Sequence, residues 1–415
     1  VDAATDRLDG VDDVLSASLD ALTLRVATLE GADAAADVAR EALTARADGL
    51  DQRLGVAEAS VRTLGDGQRG LQDGVDEVAG ALADLIGRQD LPVNVLNVST
   101  VGGADTFPSV QAAFDYLADY RIRPGRLVQV RVQPGVYVSR QPLTIDHPDS
   151  ERILLRGQGG DPTQVRLVFN GSDGLTVAGG HTFQVEGITF DGEPVEAGEA
   201  RGRRGAVVAD HGVLVLEQGV TFTRFNFGAQ LDTGGTIRGT WGGRFVANEN
   251  AGVTLSDGAF IDLAGAEISH NGEDGVACVR RCYLALNGAR IEGNSAAGVI
   301  MSDGAVGDLS DAVVDSNTEF GVLAERGSVV NLANATIQRS GFAGVMVAAM
   351  SWGNVRQATI GGNNTRNLGT QAQLVAGETA WLAVSNNPDL AGNAPLTRPG
   401  IEVQVPLAPI SVDND

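Results

Sequence analysis

The residues best suited to chemistry are concentrated in one short stretch. Between Ala266 and Cys278 the sequence AEISHNGEDGVAC brings together a histidine, an asparagine, a glutamate, an aspartate and a cysteine. Such a set could ligate a metal, or transfer protons as a general acid and base. The spacing argues against a metal site, because no HxH, HExxH or CxxC pattern accompanies these residues. Whether the stretch is a site therefore depends on the elements that position it.

A pair of carboxylates lies further along the chain at equivalent positions of a 23-residue repeat, Glu292 and Asp315. On neighbouring stacked strands their backbones should be about 5 Å apart. Retaining glycosidases hold two carboxyl groups at about that separation, and close like charges raise one pKa. The adjacent outward column alternates in charge through Arg244, Glu267 and Arg290. The pattern therefore favours an ion ladder or a glycan-contacting face over a catalytic pair.

An insertion offers a second candidate binding site. Phe190 and Phe222 look equivalent but are 32 residues apart, which is one repeat of 23 plus nine. The extra length, Asp191–Gly205, holds charged residues that include Glu193, Arg201, Arg203 and Arg204. Loops that leave a rigid scaffold often bind ligands, and arginine clusters suit carboxylates and phosphates of surface glycans. The alternative is a solvated, disordered loop. The sequence predicts no catalytic residue, no metal site and no cofactor.

These candidates belong to a strict internal period. Members of its columns are Leu263, Leu286, Leu309, Leu332 and Val355; Ala266, Ala289, Ala312, Ala335 and Ala358; Ile268, Ile291, Val314, Ile337 and Ile360; Gly252, Gly275, Gly298, Gly321 and Gly344; and Asn248, Asn271, Asn294 and Asn317. Several columns at one period indicate stacked structural units. Within each unit, apolar residues alternate in bursts typical of strands about three residues long. The repeat predicts an all-β parallel β-helix with 23-residue coils.

The columns give most of the 266–278 stretch a structural role. Asn271 is predicted to be one rung of an asparagine ladder that satisfies backbone groups at a corner. The glycine column, which includes Gly275, indicates a backbone conformation or a close approach that a Cβ would hinder. Cys278 and Cys282 replace small or apolar residues of their columns. That replacement favours unlinked core side chains over a disulfide that bridges a corner.

Residues 1–90 follow a different period. At seven-residue steps from Leu8 to Leu85 all twelve positions are apolar, and a second, largely apolar series follows four residues after each. This heptad pattern predicts a coiled-coil shaft, because one helix cannot bury so long a seam alone. Polar interruptions such as Arg40 and Gln68 fix register and partner number and favour a homotrimer. A solvated helix bundle is the alternative.

Composition limits the classes of partner. The net charge is −23, and all 30 basic residues are arginines. An acidic surface repels nucleic acid, so no nucleic-acid partner is expected. No run of about 18 apolar residues occurs, so no membrane span is predicted. The 55 glycines and the low aromatic content of 5% suit turn-rich β structure.

The unit GAEISHNGEDGVAC, with the earlier segments TFPSVQAAFDYLADY, VQVRVQPGVYV and ILLRGQGG, resembles the right-handed parallel β-helix of the pectate-lyase-like superfamily. The resemblance implies a helix-capped start at 91–140, a β-helix at 141–387 and an extended C-terminal tail at 388–415. That fold hosts lyases, hydrolases, esterases, epimerases and non-catalytic binders. The catalytic signatures of polygalacturonases and mannuronan epimerases are absent from the sequence.

A coiled-coil rod joined to a β-helix in one acidic chain also resembles the tail fibres and tailspikes of tailed phages, which are typically homotrimers. This resemblance implies an extracellular virion protein that binds a receptor or glycan on the host surface. It further implies contacts with other tail proteins through residues before Val1. Two alternatives are a glycan depolymerase, hydrolase or lyase, using acidic residues on the β-helix face, and a bacterial cell-surface adhesin.

Overall fold

The computed structural model describes residues 16–18, 20–21, 89–103, 106–194, 198–239, 242–363, 374–376 and 380–383. The chain divides into two units between Gly87 and Arg88. The predicted shaft over 1–90 falls almost wholly outside the described residues, of which 16–18 and 20–21 are helical. The predicted tail over 388–415 also lies outside them. Shaft and trimer therefore stay predictions. No helix among the described residues is long and apolar enough to cross a bilayer.

The second unit is a parallel β-helix whose coils pass in turn through three parallel sheets, here called sheets I, II and III. The strands of sheet I are Val95–Val98, Thr106–Phe107, Val128–Val132, Ile153–Gly157, Thr182–Glu186, Val213–Leu216, Thr236–Gly239, Phe260–Asp262, Tyr283–Ala285, Val306–Asp308, Val329–Asn331, Trp352–Asn354 and Trp381–Ala383. The strands of sheet II are Gly135–Ser139, Val165–Phe169, Thr189–Asp191, Thr221–Thr223, Arg244–Val246, Glu267–Ser269, Arg290–Glu292, Val313–Asp315, Thr336–Gln338 and Thr359–Gly361. The strands of sheet III are Leu143–Thr144, Leu175–Val177, Arg204–Val208, Phe227–Leu231, Val253–Ser256, Val276–Val279, Val299–Ser302, Phe320–Ala324, Ala343–Val347 and Leu374–Ala376.

Register follows the sequence period. Ile268 pairs with Ile291, which pairs with Val314, so each coil advances by the predicted 23 residues. Equivalent side chains therefore stack along the axis. The rings of Phe190, Phe222 and Phe245 lie on one another with centroids 4.9 and 5.3 Å apart. Each fully buried side chain of this kind stabilises the fold by roughly 1.5–3 kcal/mol. The all-β parallel β-helix predicted from the repeat is confirmed.

One helix closes the first coils. Helix α1, Val110–Leu117, begins at Ser109, whose hydroxyl accepts a hydrogen bond from the backbone N–H of Ala112. Its apolar side chains are buried, and the ring of Phe114 meets that of Phe183 edge-on at 5.5 Å. A two-stranded sheet of Gln89–Asp90 and Tyr120–Arg121 and a short 3₁₀ helix, Ser150–Arg152, complete this end.

The glycine column marks a close approach between coils. A Cβ placed on Gly275 would lie 2.5 Å from the carbonyl oxygen of Gly298 and 2.8 Å from the side-chain nitrogen of Asn294. The glycine of this column in the next coil, Gly298, would meet Gly321 in the same way. The sequence indicated either a special backbone conformation or a close approach at this column, and the structure shows a close approach.

The asparagine ladder is confirmed, and it is continuous from Asn248 to Asn317. The side-chain nitrogen of Asn271 donates to Oδ1 of Asn294 at 2.9 Å, and that of Asn294 donates to Oδ1 of Asn317 at 2.9 Å. Each Oδ1 also accepts the backbone N–H of the preceding rung, as Asn294 does from Asn271 at 3.1 Å. The ladder is interrupted at Ser340, a fully buried residue whose hydroxyl has no hydrogen-bond partner.

The prediction of unlinked cysteines is wrong. Cys278 and Cys282 are buried, as expected, but they form a disulfide with their Cα atoms 5.9 Å apart. Between them Arg280 and Arg281 both adopt positive φ, 65° and 58°. This tight corner brings the two cysteines within the usual disulfide range of Cα separations.

Candidate functional site

The stretch 266–278 is mainly scaffold. Asn271 lies in the ladder and Cys278 in the disulfide, whereas His270 and Glu273 are exposed. Asp274 differs, because burial raises the pKa of its carboxyl above the usual value. The backbone N–H of Ala297 donates to that carboxyl and opposes the rise, while nearby glutamates reinforce it. No three His, Cys, Asp or Glu side chains converge on a metal-binding position in the described part of the chain.

The outer face of sheet II carries the predicted ladder of charges. Arg244 binds Glu267 through two hydrogen bonds of 2.8 and 3.1 Å between neighbouring strands. This arginine holds the pKa of the Glu267 carboxyl below its usual value, against the opposing effect of partial burial. Such a carboxylate stays ionised at neutral pH, so it cannot serve as a proton donor there.

The proposed carboxylate pair is brought together but is engaged by arginines. Glu292 and Asp315 are direct partners on adjacent strands of sheet II. Glu292 forms an ion pair with Arg290 of its own strand. Asp315 is buried and accepts hydrogen bonds from Arg339 and, at 3.2 Å, from the amide of Gln338. Each carboxylate therefore has a cationic partner.

Sequence reasoning missed a buried ion cluster at the start of the insertion. Asp191 is fully buried and accepts hydrogen bonds from the guanidinium groups of Arg166 and Arg224, one of them at 3.0 Å. Arg224 also pairs with Glu193, whose backbone N–H donates to Asp191 at 3.0 Å. Two arginines on one buried carboxylate fix the base of the insertion to the strands on either side of it.

The described part of the insertion is held against the β-helix. Glu199 forms an ion pair with Arg140 at 2.6 Å, and the N–H of Gly202 donates to the carbonyl of Gly192 at 2.7 Å. Arg204 belongs to a strand of sheet III, where it binds both carboxylate oxygens of Asp173 at 2.9 and 2.7 Å. Those contacts make Arg204 part of the scaffold.

The other two arginines of the insertion differ from Arg204. Arg201 and Arg203 have exposed side chains, while the backbone N–H of Arg203 donates to the carbonyl of Ser172 at 2.9 Å. A fixed backbone that presents two exposed guanidinium groups is suited to binding an anionic group from solution. Of the residues predicted for the loop site, Arg201 and Arg203 are exposed and Glu193 lies at the base of the insertion.

An apolar stripe on the outer face of sheet I was also missed. Five side chains in register on successive strands are 38 to 63% exposed. They are Tyr283, Val306, Val329, Trp352 and Trp381. The signal was present in the sequence, since the first four follow the 23-residue step.

A cavity of about 440 Å³ lies at the capped end of the β-helix. Its lining includes Ser109 at the start of α1, Tyr137, Arg140 and Phe169. Its lining is mainly apolar, contains one cation and includes residues of the first two strands of sheet II.

Comparison with known proteins identifies the architecture. The family model described as "Right handed beta helix region" matches residues 153–365. No curated protein matches the sequence. Solved structures with a similar fold include the A-module of the mannuronan C-5 epimerase AlgE4 from Azotobacter vinelandii, at 15% identity and a TM-score of 0.36, covering 67% of this chain and 84% of that one.

Two further solved structures are similar, one of a glucanase domain and one of a virus protein. The catalytic domain of a GH87 α-1,3-glucanase is 10% identical with a TM-score of 0.34, covering 74% of this chain and 70% of that one. ORF18 of Geobacillus virus E2 is 12% identical with a TM-score of 0.28, covering 71% of this chain and 60% of that one. Likenesses at this level carry no conclusion about activity.

Proposed function

Because the chain belongs to the right-handed β-helix family, we propose that it is a phage tail fibre or tailspike subunit that attaches to the host surface without cleaving it. The observation that carries this proposal is the pairing of carboxylates on the outer face of sheet II. Glu267, Glu292 and Asp315 each bind an arginine. A glycan hydrolase needs one carboxyl that is protonated and one that is free to act as base or nucleophile.

In this proposal, the protein works outside the cell as part of a virion. Residues 1–90 would join three copies in a coiled coil, so that three β-helices meet the surface together and gain avidity. Arg201 and Arg203 would contact carboxylates or phosphates of a host glycan or receptor. The ion cluster around Asp191 holds the base of their loop in place. A bacterial surface adhesin would use the same contacts from a different location.

One observation favours the depolymerase alternative. Burial raises the pKa of Asp274, which lies near Glu273 and Glu319 on the corner before sheet III. A carboxyl with a raised pKa can donate a proton closer to neutral pH. In a depolymerase, Asp274→Asn would abolish release of saccharide while leaving attachment intact.

The test is attachment of the fluorescently labelled full chain to a panel of bacterial cells, with reducing sugar measured in the same supernatant. We expect attachment without sugar release. Arg201→Ser combined with Arg203→Ser should lower attachment, whereas the matched exposed pair Arg238→Ser and Arg356→Ser should not. Sugar release that disappears in Asp274→Asn would establish the depolymerase instead. Absence of attachment to any cell would refute the proposed function.

A further inference from the structure

The apolar stripe on sheet I is a feature of the described surface that the proposed contacts do not use. Its members stand one above another because Tyr283 pairs with Val306, and Trp352 pairs with Trp381. Two intervening strand pairs complete the register. At the usual spacing of neighbouring strands, the five side chains cover a length of about 19 Å along the axis.

The side chains involved make the stripe unusual for this protein. Aromatic residues are only 5% of the sequence, yet Tyr283, Trp352 and Trp381 all lie in the stripe. Tyr283 is 50% exposed and Trp381 is 63% exposed. Contiguous exposed apolar groups mark interaction surfaces, whereas scattered ones do not.

A polar ladder runs beside the stripe. It consists of Asp308, Asn331 and Asn354, each of which lies two positions after a stripe residue on the same strand. The amide of Asn331 donates to Asp308 at 2.9 Å, and that of Asn354 donates to Oδ1 of Asn331 at 2.7 Å. Each amide uses one of its two N–H groups in this ladder, which leaves the second for an external acceptor. An apolar track and a row of hydrogen-bonding groups thus lie side by side, about 7 Å apart.

The dimensions do not suit a second copy of the chain. The exposed area of three half-exposed aromatic rings and two valines is on the order of 400 Å². A stable protein interface buries about 800 Å² on each partner. Ionised Asp308 on the flank and a net charge of −23 would also place like charges opposite one another. The shape, long and one or two side chains wide, suits a linear polymer.

The side chains of the stripe and of the polar ladder indicate which class of polymer would bind. A sugar ring presents a face of C–H groups that packs on aromatic rings and a rim of hydroxyls that accept and donate hydrogen bonds. The carboxylate of Asp308 disfavours an anionic chain beside it. We propose that the stripe of sheet I and its amide ladder bind an uncharged polysaccharide chain that lies along the β-helix axis. This inference rests on the proposed function, for which it names a ligand class and a surface distinct from Arg201 and Arg203.

The test is affinity electrophoresis of the full chain in native gels that contain dextran, mannan or arabinogalactan, with alginate as the anionic comparison. We expect at least one uncharged polysaccharide to retard the protein. Trp352→Ala and, separately, Tyr283→Ala should weaken that binding by about ten-fold, as expected for loss of one ring contact. Trp352→Phe should retain most of it. Val138→Ser, which alters an equally exposed apolar residue of sheet II, is the matched control.

Four outcomes of the measurements on the parent and the stripe variants would overturn the inference. They are no retardation by any uncharged polysaccharide, equal retardation of parent and both alanine variants, stronger retardation by alginate, and a fall in solution mass of Trp352→Ala measured by light scattering. The last would assign the stripe to contact between copies. If the stripe variants still attach to cells, the proposed function is retained. If the double variant Arg201→Ser with Arg203→Ser loses binding to the neutral polysaccharide, that binding belongs to the insertion, which also overturns the inference.

Discussion

Replacement of Asn294 by alanine should destabilise the β-helix strongly, because this side chain makes bonds with two neighbouring coils. Its Oδ1 accepts from the backbone N–H of Asn271 at 3.1 Å and from the amide of Asn271 at 2.9 Å. Its amide donates to the carbonyl of Ile268 at 3.3 Å and to Asn317 at 2.9 Å. Asn294 is fully buried, so water cannot replace these partners.

The magnitude follows from which groups lose their partner. The amide of Asn271 also donates to the carbonyl of Phe245, and Oδ1 of Asn317 also accepts the backbone N–H of residue 294. Those two groups keep a hydrogen bond in the variant. The carbonyl of Ile268 also keeps a hydrogen bond, because Ile268 is paired in the ladder of sheet II. The backbone N–H of Asn271 loses its partner, at about 1–3 kcal/mol. The expected loss is about 1–3 kcal/mol, a substantial share of the ~5–15 kcal/mol that stabilises a typical domain.

The measurement is denaturant unfolding of the full chain, followed by circular dichroism and tryptophan fluorescence. Ser295→Ala is the matched control, since Ser295 is the next residue and its side chain is exposed. We expect the control to unfold with the parent and Asn294→Ala to unfold at clearly lower denaturant. An Asn294→Ala variant within about 0.5 kcal/mol of the parent, the range of a neutral surface change, would refute the role assigned to the ladder.

Three further predictions concern single positions. Ser340→Asn should stabilise the protein by about 1 kcal/mol by continuing the ladder, and a melting temperature no higher than the parent's would contradict this. Gly298→Ala should cost about 1–3 kcal/mol, because its Cβ would lie 2.6 Å from the carbonyl oxygen of Gly321; unchanged denaturant unfolding would count against it. The raised pKa of Asp274 means that its ionisation costs stability above that pKa and costs nothing below the usual value of an aspartate. Asp274→Asn, which can still accept from Ala297, should therefore raise the melting temperature at pH 7, and a gain that did not shrink on acidification would exclude this cause.

The sequence revealed the parts of the fold that repeat in every coil. Inward positions such as Ile268 and Ile291 must have similar shapes because each packs directly on its equivalent. Asn271 and Gly275 repeat for the same reason, since each needs the same group in the next coil. A feature with a partner exactly one coil away leaves a period in the sequence, and that period sufficed to predict strand, corner and ladder.

Features whose partners lie off the period could not be predicted. Asp191 binds Arg166, 25 residues before it, and Arg224, 33 residues after it, because the insertion separates the coils unevenly. The disulfide depends on positive φ at Arg280 and Arg281, a conformation that arginine does not signal. In contrast, the stripe from Tyr283 to Trp352 keeps the period and was open to prediction.

Stacking also determines how the β-helix would respond to force. The bonds between coils run along the axis, so tension on its two ends would act on successive coil interfaces in series, and the weakest one would set the breaking force. Ser340, the rung that lacks an asparagine, lies in the same coil as Arg339, whose ion pair with Asp315 joins this coil to the preceding one. Because Arg339 is largely exposed, salt would screen that bridge. Mechanical strength at this interface should therefore depend on ionic strength more than at interfaces where the amide ladder is continuous.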